Sequence, residues 1–519
     1  MKNWMLRIIF FLLMGAAIIW IFFPDGYALR GPLLDSMLGR EAPAPTQEMS
    51  DGRLRAPDGY DVTLWAQNLG DARFLRVTPE GSLLVSQTRL GQISLVLADH
   101  DGDGLSDGSR VIVENLDRPH GFDLREGSIY IGEATAIARV PFEESGLDTI
   151  SLTGEVERIA EGIPEGGNHW RRSLRFGPDG RIYVTVGSSC NVCEEEDPRR
   201  AALLRFEADG SGETTFATGL RNTVGFDWQP GTDALYGTDN GRDLLGDDEP
   251  ACELNHIIED GFYGWPYANA NANSQIEADP DFGPGNEDRI ADSLAPAHSF
   301  RAHNAPLGIT FIRRRDADPA YRGAALVALH GSWNRSTLDG YQVVSLHWGA
   351  DGQITERPFL TGFEENGDVM GRPVDIAEGT DGAIYISDDY GKAVYRVSRH
   401  DSNAPSLKRP NAFRAATATP RTSGFTAGER LDDLSPTNRV ALEERGGEIF
   451  KEKACATCHI ASESLPGVSL KKLENLRSRY NIDELAIFFA APQPPMPIVD
   501  LSEAQRRALA VYVLSTYGD

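Results

Sequence analysis

Short runs of β-forming residues, each preceded by a glycine turn, recur along the middle of the chain. The pattern occurs six times at intervals of roughly 45 to 60 residues, with one wider interval between Gly231 and Gly323. The runs are SLLVSQ after Gly81, SIYIGE after Gly127, RIYVTVG after Gly180, TDALYGTDN after Gly231, AALVALHG after Gly323 and AIYISDD after Gly382. Repeats of this length are typical of propeller blades, and we predict an all-β, six-bladed β-propeller over residues 56–400.

The widest interval between repeats contains a long segment without a clear pattern. Residues 269–299 are rich in Asn, Asp, Pro and Gly. Long loops of this kind in compact domains are usually functional or disordered. We therefore predict an insertion that forms a lid or rim loop on one face of the propeller.

The ends of the propeller region are marked by changes in composition. Residues 25–55 and 401–436 are rich in Pro and small or charged residues, which predicts a stalk and a second linker. Before them, Lys2 and Arg7 flank an apolar run that Pro24 ends. We predict that residues 1–24 are an uncleaved transmembrane signal anchor, with a cleaved signal peptide as the alternative. Either form predicts a periplasmic location for the bulk of the chain, held to the inner membrane by a single pass if the anchor is retained.

The last part of the chain carries a haem-attachment motif between two helical patterns. Apolar residues recur at helical spacing over residues 439–453 and 503–517. Between them, Cys455-Ala456-Thr457-Cys458-His459 has the C-x-x-C-H form in which two thioethers hold haem c and the histidine ligates its iron. A zinc knuckle needs four N/S ligands and this segment offers three, and a stray disulfide is the other alternative. We predict haem c at Cys455 and Cys458, with His459 as an iron ligand.

This segment also contains a candidate for the sixth iron ligand. Met496 is the only methionine after the motif, and no histidine follows His459. A thioether ligand raises the potential of haem iron and suits electron transfer. The segment resembles the class I cytochrome c domain, and we predict such a small all-α domain over residues 437–519, with Met496 as the axial ligand.

Charge and cysteine content narrow the class of protein further. The 519 residues carry a formal net charge of −27, which argues against a nucleic-acid partner. Beyond the haem motif the cysteines are Cys190, Cys193 and Cys252, an odd number for an oxidising compartment. Cys190 and Cys193 are compatible with a redox pair, a local disulfide, or one half of a bridge to Cys252. Because no thioredoxin-like pattern surrounds them, a structural disulfide is favoured.

An acidic turn offers a possible calcium site. Carboxylates at alternate positions surround Gly104, and oxygen ligands in this arrangement suit a hard cation. The four residues are Asp99, Asp101, Asp103 and Asp107. Arg110 occupies the position where an EF-hand has its bidentate Glu. A structural Ca²⁺ site and an acidic surface turn are both compatible with this pattern.

Polar clusters follow several of the β-runs, where they would lie at one mouth of a propeller. They are GNHWRRSLRFGPD from Gly167, GLRNTVG from Gly219, DNGR from Asp239, GFYGWP from Gly261 and GRPVD from Gly371. Together these clusters resemble the soluble-type quinoprotein sugar dehydrogenases, which include glucose, aldose and sorbosone dehydrogenases, over about residues 55–400. The HGSWNR stretch from His330 and the GSSCNVC loop are most similar to the sorbosone/pyranose branch. A fused cytochrome c also occurs among such enzymes.

The resemblance implies a six-bladed propeller that binds pyrroloquinoline quinone (PQQ) with Ca²⁺, and it assigns roles to individual residues. His169 matches the catalytic base, which takes the proton of a sugar hydroxyl while a hydride passes to the quinone. Arg221 matches the cation beside the quinone carbonyl. Asn222, Arg335 and Arg372 match cofactor contacts, and guanidinium groups suit the three carboxylates of PQQ. Gly241 and Arg242 match the pair whose backbone carbonyls hold the active-site Ca²⁺.

Two positions depart from the pattern of the glucose enzymes. The aspartate that accompanies the catalytic histidine in those enzymes falls at Ser188. A second arginine that contacts the cofactor falls at Val374. The first departure removes the expected orienting partner of His169, and the second predicts a differently anchored quinone.

These observations predict a quinohaemoprotein dehydrogenase. A sugar or related alcohol or aldehyde would reduce PQQ, and the electrons would pass to haem c and then to a respiratory acceptor, either a cytochrome or the quinone pool. The alternative is a non-catalytic propeller that binds a ligand and carries an electron-transfer cytochrome. A third possibility is a structural propeller that docks the cytochrome to a partner complex.

Overall fold

The computed structural model describes residues 44–400 continuously and, beyond them, isolated residues before 44 and parts of 431–517. The predicted anchor at residues 1–24 and the predicted ligand Met496 lie outside the described residues. Among the residues that are described, no helix has both the length and the apolar character needed to cross a membrane. The chain divides into two compact units, residues 1–408 and 409–519, and each is described by itself.

The described part of the first unit contains six sheets of at least four strands, antiparallel apart from one short added strand in the third, which are the blades of a propeller. From the innermost strand outward, blade 1 contains Ala72–Val77, Leu83–Gln87, Gln92–Val96 and Ser109–Val113. Blade 2 contains Phe122–Arg125, Ser128–Gly132, Ala136–Glu144 and Glu157–Glu161. Blade 3 contains Leu174–Phe176, Ile182–Val186, Ala202–Phe206 and Thr214–Thr218. Blade 4 contains Thr223–Trp228, Leu235–Asp239, Cys252–Ile257 and His298–Phe300. Blade 5 contains Pro306–Phe311, Ala325–Leu329, Gln342–Trp348 and Ile354–Leu360. Blade 6 contains Pro373–Glu378, Ile384–Asp388, Ala393–Arg399 and Tyr60–Ala66. The prediction of six blades is confirmed.

The six β-runs of the sequence are the second strands of the six blades. Each glycine turn connects the innermost strand to this second strand, as Gly180 does between Leu174–Phe176 and Ile182–Val186. The second strand is flanked on both sides, so it is buried and carries the strongest apolar pattern. The ring is closed by Tyr60–Ala66, which pairs antiparallel with Ala393–Arg399 as the outermost strand of blade 6.

The hydrophobic core lies mainly between neighbouring blades. Leu84 and Ile93 of blade 1 share one buried cluster with Ile131 and Val140 of blade 2. Alternate residues of each strand point to opposite faces of a sheet, so each blade presents apolar side chains to both of its neighbours. This packing makes the ring continuous and holds the innermost strands around a common axis.

The predicted insertion is an ordered part of blade 4. It contains the hairpin Ala268–Ala270 with Ile276–Ala278 and the helix Glu287–Ala291, and it ends in His298–Phe300, the outer strand of the blade. The guanidinium of Arg242 donates to both carboxylate oxygens of Asp279 at 2.8 and 2.7 Å. The insertion is therefore tied to the loop that follows the second strand of blade 4, on the rim of the propeller.

The end of the segment assigned to the stalk packs on the propeller. Residues Gln47–Arg53 form a helix, and Thr46 caps it because its hydroxyl accepts a hydrogen bond from the backbone N–H of Met49 at 3.1 Å. Arg53 donates to the carboxylate of Asp368 at 2.8 Å, and Arg55 forms a backbone bridge with Thr361. Residues 46–55 thus belong to the folded unit and not to a free linker.

Shorter elements complete the first unit. Ile150–Leu152 pairs with Ala136–Glu144 in blade 2, and Gly261–Phe262 adds a parallel strand to blade 3. Glu364–Glu365 and Asp368–Val369 form a small hairpin before blade 6.

The described part of the second unit is helical. Its helices are Pro436–Glu452, Ala456–His459, Ile482–Ala490 and Glu503–Tyr517, with one 3₁₀ turn at Leu476–Ser478. Gly446 lies so close to the last helix that a Cβ atom there would be 2.2 Å from the carbonyl oxygen of Ala508. The C-x-x-C-H motif lies at a short helix in which His459 is half-buried, and nothing is described of the Cys458 side chain. The helices agree with the sequence pattern, and the haem domain stays a prediction.

Candidate active site

The predicted site residues of the propeller gather at one mouth of its central axis. Innermost strands begin at this mouth, and the antiparallel second strands end there. His169, Asn222 and Arg372 precede the innermost strands of blades 3, 4 and 6. Ser188 and Asn240 follow the second strands of blades 3 and 4. Residues that are far apart in the sequence therefore meet around one axis.

His169 is held in a single tautomer by Ser188. Its Nδ1 lies 3.0 Å from the Ser188 carbonyl oxygen and 2.8 Å from the Ser188 hydroxyl. A carbonyl oxygen only accepts hydrogen bonds, so Nδ1 carries the hydrogen and Nε2 keeps its lone pair. The Ser188 hydroxyl donates to the carbonyl of Cys190 at 2.8 Å and can accept from Nδ1. Two neutral oxygens thus orient His169 in the place of the expected aspartate.

The surroundings of His169 keep its ring neutral. Burial, reinforced by the Arg221 cation, lowers the pKa of His169 to about 3. A carboxylate at position 188 would oppose this effect, and serine does not. The imidazole is consequently a proton acceptor over the whole neutral range.

Gly187 allows the histidine and a neighbouring amide to approach each other. A Cβ atom at Gly187 would lie 2.5 Å from the Cβ of His169 and 3.1 Å from the Oδ1 of Asn222. Real Cβ atoms are not found at such distances from another carbon. The glycine at the end of the second strand of blade 3 is therefore required by the packing of these two site residues.

Arg221 is buried and mainly holds loops in place. Its Nε donates to the Asn191 carbonyl at 2.9 Å and its Nη1 to the Asn240 carbonyl at 3.0 Å. Its Nη2 donates to Asn191 Oδ1 at 2.8 Å and to Asp243 at 3.1 Å. A guanidinium has five N–H donors, and these bonds use four of them. One N–H on Nη1 is left for a ligand within the described part of the chain.

The short loop that Arg221 binds is closed by a disulfide. Cys190 and Cys193 form a local bridge, so the structure favours the local disulfide among the alternatives, and Cys252 stays a thiol. Burial raises the pKa of that thiol to about 11. The loop presents Asn191, whose carbonyl also accepts the indole N–H of Trp265 at 3.3 Å. Sequence analysis missed Asn191 because its role depends on contacts with blade 4.

Arg372 belongs to a charged group centred on Asp389. One Asp389 oxygen accepts from the Arg372 Nη2 at 2.9 Å and lies 3.0 Å from the His330 Nε2, and the other is 2.7 Å from Arg73. Burial opposes ionisation of Asp389, but these three neighbours hold its pKa well below the usual range. Arg372 Nη1 has no hydrogen-bond partner among the described residues and is available to a ligand. Sequence analysis missed Arg73 and Asp389.

Arg335 is engaged by the protein itself. Its Nη1 donates to the carbonyls of Asp247 and Ala302, and its Nη2 to the Asp248 carboxylate at 3.2 Å. The preceding Asn334 donates to Asp243 at 2.8 Å, and Asp243 is also a partner of Arg221. The structure thus places Arg335 in the loop framework behind Arg221, where it fixes the rim.

The loop at Asn240 provides oxygen atoms that fit a calcium ion. Asn240 Oδ1 is buried, and no residue of the described chain donates a hydrogen bond to it. The Arg242 guanidinium is taken up by Asp279 and Asp281, so the backbone carbonyls of Gly241 and Arg242 are the oxygens that this segment can offer. A side-chain amide oxygen with adjacent carbonyls is a donor set that Ca²⁺ accepts.

The residues that form this propeller show to which protein family the chain belongs. A family model described as TrAA12-like matches residues 54–400, which include all six blades. The chain belongs to the TrAA12-like family. This is the β-propeller family of PQQ-dependent sugar dehydrogenase type that the sequence motifs indicate, and the match ends where the predicted propeller ends.

Individual proteins are also similar to this TrAA12-like protein in sequence or in fold. An uncharacterised protein of Borreliella burgdorferi is 30% identical over 299 residues, which cover 55% of this chain and 77% of that protein. The calcium structure of a Trichoderma reesei carbohydrate-active enzyme of family AA12 has a TM-score of 0.59 at 21% identity and covers 67% of this chain and 97% of that one. The holo form of the pyranose dehydrogenase PQQ domain of Coprinopsis cinerea has a TM-score of 0.58 at 20% identity, covering 69% and 98%. At these identities the two structures show the fold.

The acidic turn of the TrAA12-like propeller lies away from the mouth. It connects the third and fourth strands of blade 1 and therefore lies at the opposite face. Carboxylate oxygens of Asp99, Asp101 and Asp107 come within 4.8 Å of one another. Asp103 is outside this group and accepts a hydrogen bond from the backbone N–H of Leu105 at 2.8 Å. Any ion held here would be structural and would not take part in catalysis at the mouth.

Proposed function

We propose that this TrAA12-like protein is a PQQ-dependent dehydrogenase that oxidises a sugar or a related alcohol or aldehyde. The observation that carries the proposal is His169, a neutral imidazole at the mouth whose Nδ1–H is fixed by Ser188 and whose Nε2 is left to accept a proton. The pyranose dehydrogenase PQQ domain with the same fold supports the choice of cofactor and substrate class.

The residues of the mouth fit an anionic quinone with a calcium ion. Arg221 and Arg372 each keep a guanidinium N–H group for a ligand, and forked donors match carboxylates. The unpartnered Asn240 Oδ1 with the carbonyls of Gly241 and Arg242 would hold Ca²⁺, and Asn222 would be a further contact. When bound, PQQ with its Ca²⁺ supplies the two-electron acceptor.

The chain's own groups would carry out proton transfer and charge stabilisation. His169 Nε2 accepts the proton of the substrate hydroxyl, and the Ser188 oxygens stabilise the imidazolium that results. Arg221 is a buried cation, and its remaining N–H can stabilise negative charge that develops beside it. Because its other four N–H groups are bound to protein, this cation needs no reorganisation when the reaction occurs.

The pH dependence of the rate should reveal the low pKa of His169. The imidazole works in its neutral form, and its pKa of about 3 means that it becomes protonated only in strong acid. We expect kcat/KM to show no acid limb from His169 between about pH 5 and pH 8. An acid limb near the ordinary histidine pKa of about 6.5 would contradict this assignment.

The variant Ser188→Asp tests the cause of that shift. A carboxylate beside Nδ1 favours the protonated ring, so the pKa of His169 should rise and the acid limb should move toward neutral pH. Ser188→Ala is the matched control, since it removes the hydroxyl but keeps the carbonyl that accepts from Nδ1. The pH profile of the alanine variant should remain like that of the wild type.

For the second unit we propose a haem c electron outlet. Cys455 and Cys458 would hold the haem, with His459 and Met496 as iron ligands, and the iron would pass single electrons to a respiratory acceptor. The proposal includes an inner-membrane anchor at residues 1–24 and a periplasmic location.

A reconstitution experiment tests both halves of the proposal. The purified protein is supplied with PQQ, Ca²⁺ and a panel of sugars while the haem absorbance is followed. Haem reduction that requires both quinone and sugar supports the full pathway. A Cys455→Ala/Cys458→Ala variant should still reduce an artificial dye but should lack covalent haem. Absence of PQQ binding at micromolar concentration would favour the non-catalytic binding module.

A further inference from the structure

Arg171 differs from Arg221 and Arg372 because no described residue accepts a hydrogen bond or ion pair from its side chain, which packs over the Trp170 ring. Its Nε is buried without a hydrogen-bond acceptor, and no ion pair or hydrogen bond from its guanidinium occurs within the described residues. The next residue, Arg172, donates to the carbonyls of His169, Arg171 and Pro164. The Nε of Arg171 is thus shielded from water without an acceptor, while the residue as a whole is half-buried and its terminal nitrogens remain open to a ligand.

The position of Arg171 is inside the mouth, close to the other site residues. It lies two residues after His169 and just before the innermost strand Leu174–Phe176. Its guanidinium lies 4.7 Å from the centre of the Trp170 ring. Burial, together with the nearby Arg73 cation, lowers the pKa of Arg171 to about 9, and its own charge helps to lower the pKa of His169. The side chain is therefore near both the proton acceptor and the Asp389 group.

The charges around Arg171 favour an anion. Asp389 is shared by Arg73 and Arg372, at 2.7 and 2.9 Å, so this group is already positive before Arg171 is counted. The position of the family's second cofactor arginine, Val374, is fully buried in an apolar cluster with Leu307 and cannot reach a ligand. The guanidinium that the family pattern places at position 374 is therefore missing. Arg171 supplies a guanidinium from which no described residue accepts a hydrogen bond.

We propose that Arg171 is a carboxylate-binding residue of the pocket. The carboxylate belongs either to the cofactor or to an acidic sugar, since both present the same planar anion to a guanidinium. If the carboxylate is that of the cofactor, this inference rests on the proposed function. If it is that of an acidic sugar, the inference is independent of the proposed function.

The test compares Arg171→Met with the wild type by calorimetric titration of the purified full chain. The ligands are PQQ with Ca²⁺, galacturonate and galactose. Losing one charge-assisted pair should weaken a carboxylate ligand by about tenfold to a hundredfold and leave galactose unchanged. Because the variant loses no ion pair, the Tm of the apoprotein should fall by no more than about 3 °C.

Arg118→Gln is the matched control variant. Arg118 lies over the same Trp170 ring at 5.2 Å, but its guanidinium is bound by Asp117 at 2.8 Å and Glu165 at 3.2 Å. Its replacement should change the affinity for either carboxylate ligand by less than about twofold.

The outcomes separate the two sources and the proposed function. Weaker PQQ binding by Arg171→Met assigns the residue to the cofactor, and weaker galacturonate binding assigns it to the substrate. If wild type binds no PQQ, the proposed function fails, and galacturonate alone decides the role of Arg171. Unchanged binding of both ligands by Arg171→Met, or an equal loss in Arg118→Gln, would overturn the inference.

Discussion

Replacing His169 with alanine should lower kcat for PQQ-dependent sugar oxidation by about 10²- to 10⁴-fold, the range that a positioned general base contributes. The variant loses the Nε2 acceptor, and the charged groups that act on His169 are the cations Arg221, Arg171 and Arg200, which cannot take up a proton in its place. The change should appear in steady-state rates at saturating PQQ and Ca²⁺. Quinone affinity should remain close to that of the wild type, because His169 acts on the substrate.

His347→Ala provides the control for general effects of removing an imidazole. This histidine is half-buried in the third strand of blade 5, and its Nε2 lies 2.9 Å from the Ser345 hydroxyl. Its loss should leave the rate unchanged within about twofold, as for most substitutions away from a site. If His169→Ala kept a tenth or more of the wild-type rate, proton transfer would have to be assigned to another group.

Replacing Arg221 with methionine should lower kcat by about 10²- to 10³-fold and also destabilise the rim. The substitution removes the buried cation and takes the donor from the Asn240 carbonyl, while the Asn191 carbonyl keeps only the longer bond from the Trp265 indole. Unsatisfied buried groups cost about 1–3 kcal/mol, so the free energy of unfolding should fall by a similar amount. Chemical denaturation and rates measured on the same preparation would show both effects.

The two effects of Arg221 can be distinguished with Arg221→Lys and Arg205→Met. Lysine keeps the charge but not the fork, so it should recover part of kcat while the loop remains loosened. Arg205 pairs with Glu259 on the outer part of blade 3, and its loss should affect stability slightly and kcat not at all. A fall in kcat that merely followed the unfolded fraction would show that Arg221 has no part in the reaction.

The sequence predicts the propeller well because each blade repeats one local signal. The second strands are buried on both sides and follow a tight glycine turn, as Leu83–Gln87 follows Gly81, so periodicity alone locates them. Outer strands such as Glu157–Glu161 are more exposed and give a weaker pattern. Strand number per blade was therefore less predictable than blade number.

The site was predictable only where its residues occur in local motifs. His169, Arg221 and Arg372 stand in recognisable turns, whereas Arg73 and Asp389 do not. Their ion pair joins residues 316 positions apart, and no local spacing reveals it. Arg171 was visible as a residue, but the lack of a hydrogen-bond acceptor for its side chain among the described residues appears only after every neighbour is placed.

The closing strand Tyr60–Ala66 has a consequence for when the pocket can exist. Arg73 and Asp389 lie in the first and last blades, and the ring that brings them together is fastened only when Ala393–Arg399 pairs with the opening strand. Pairing between such distant segments is slow to form and comes late in folding. A nascent chain that lacks its final blade therefore lacks Arg372 and the Arg73–Asp389 ion pair, and the proposed anion-binding mouth is incomplete until that blade has joined the ring.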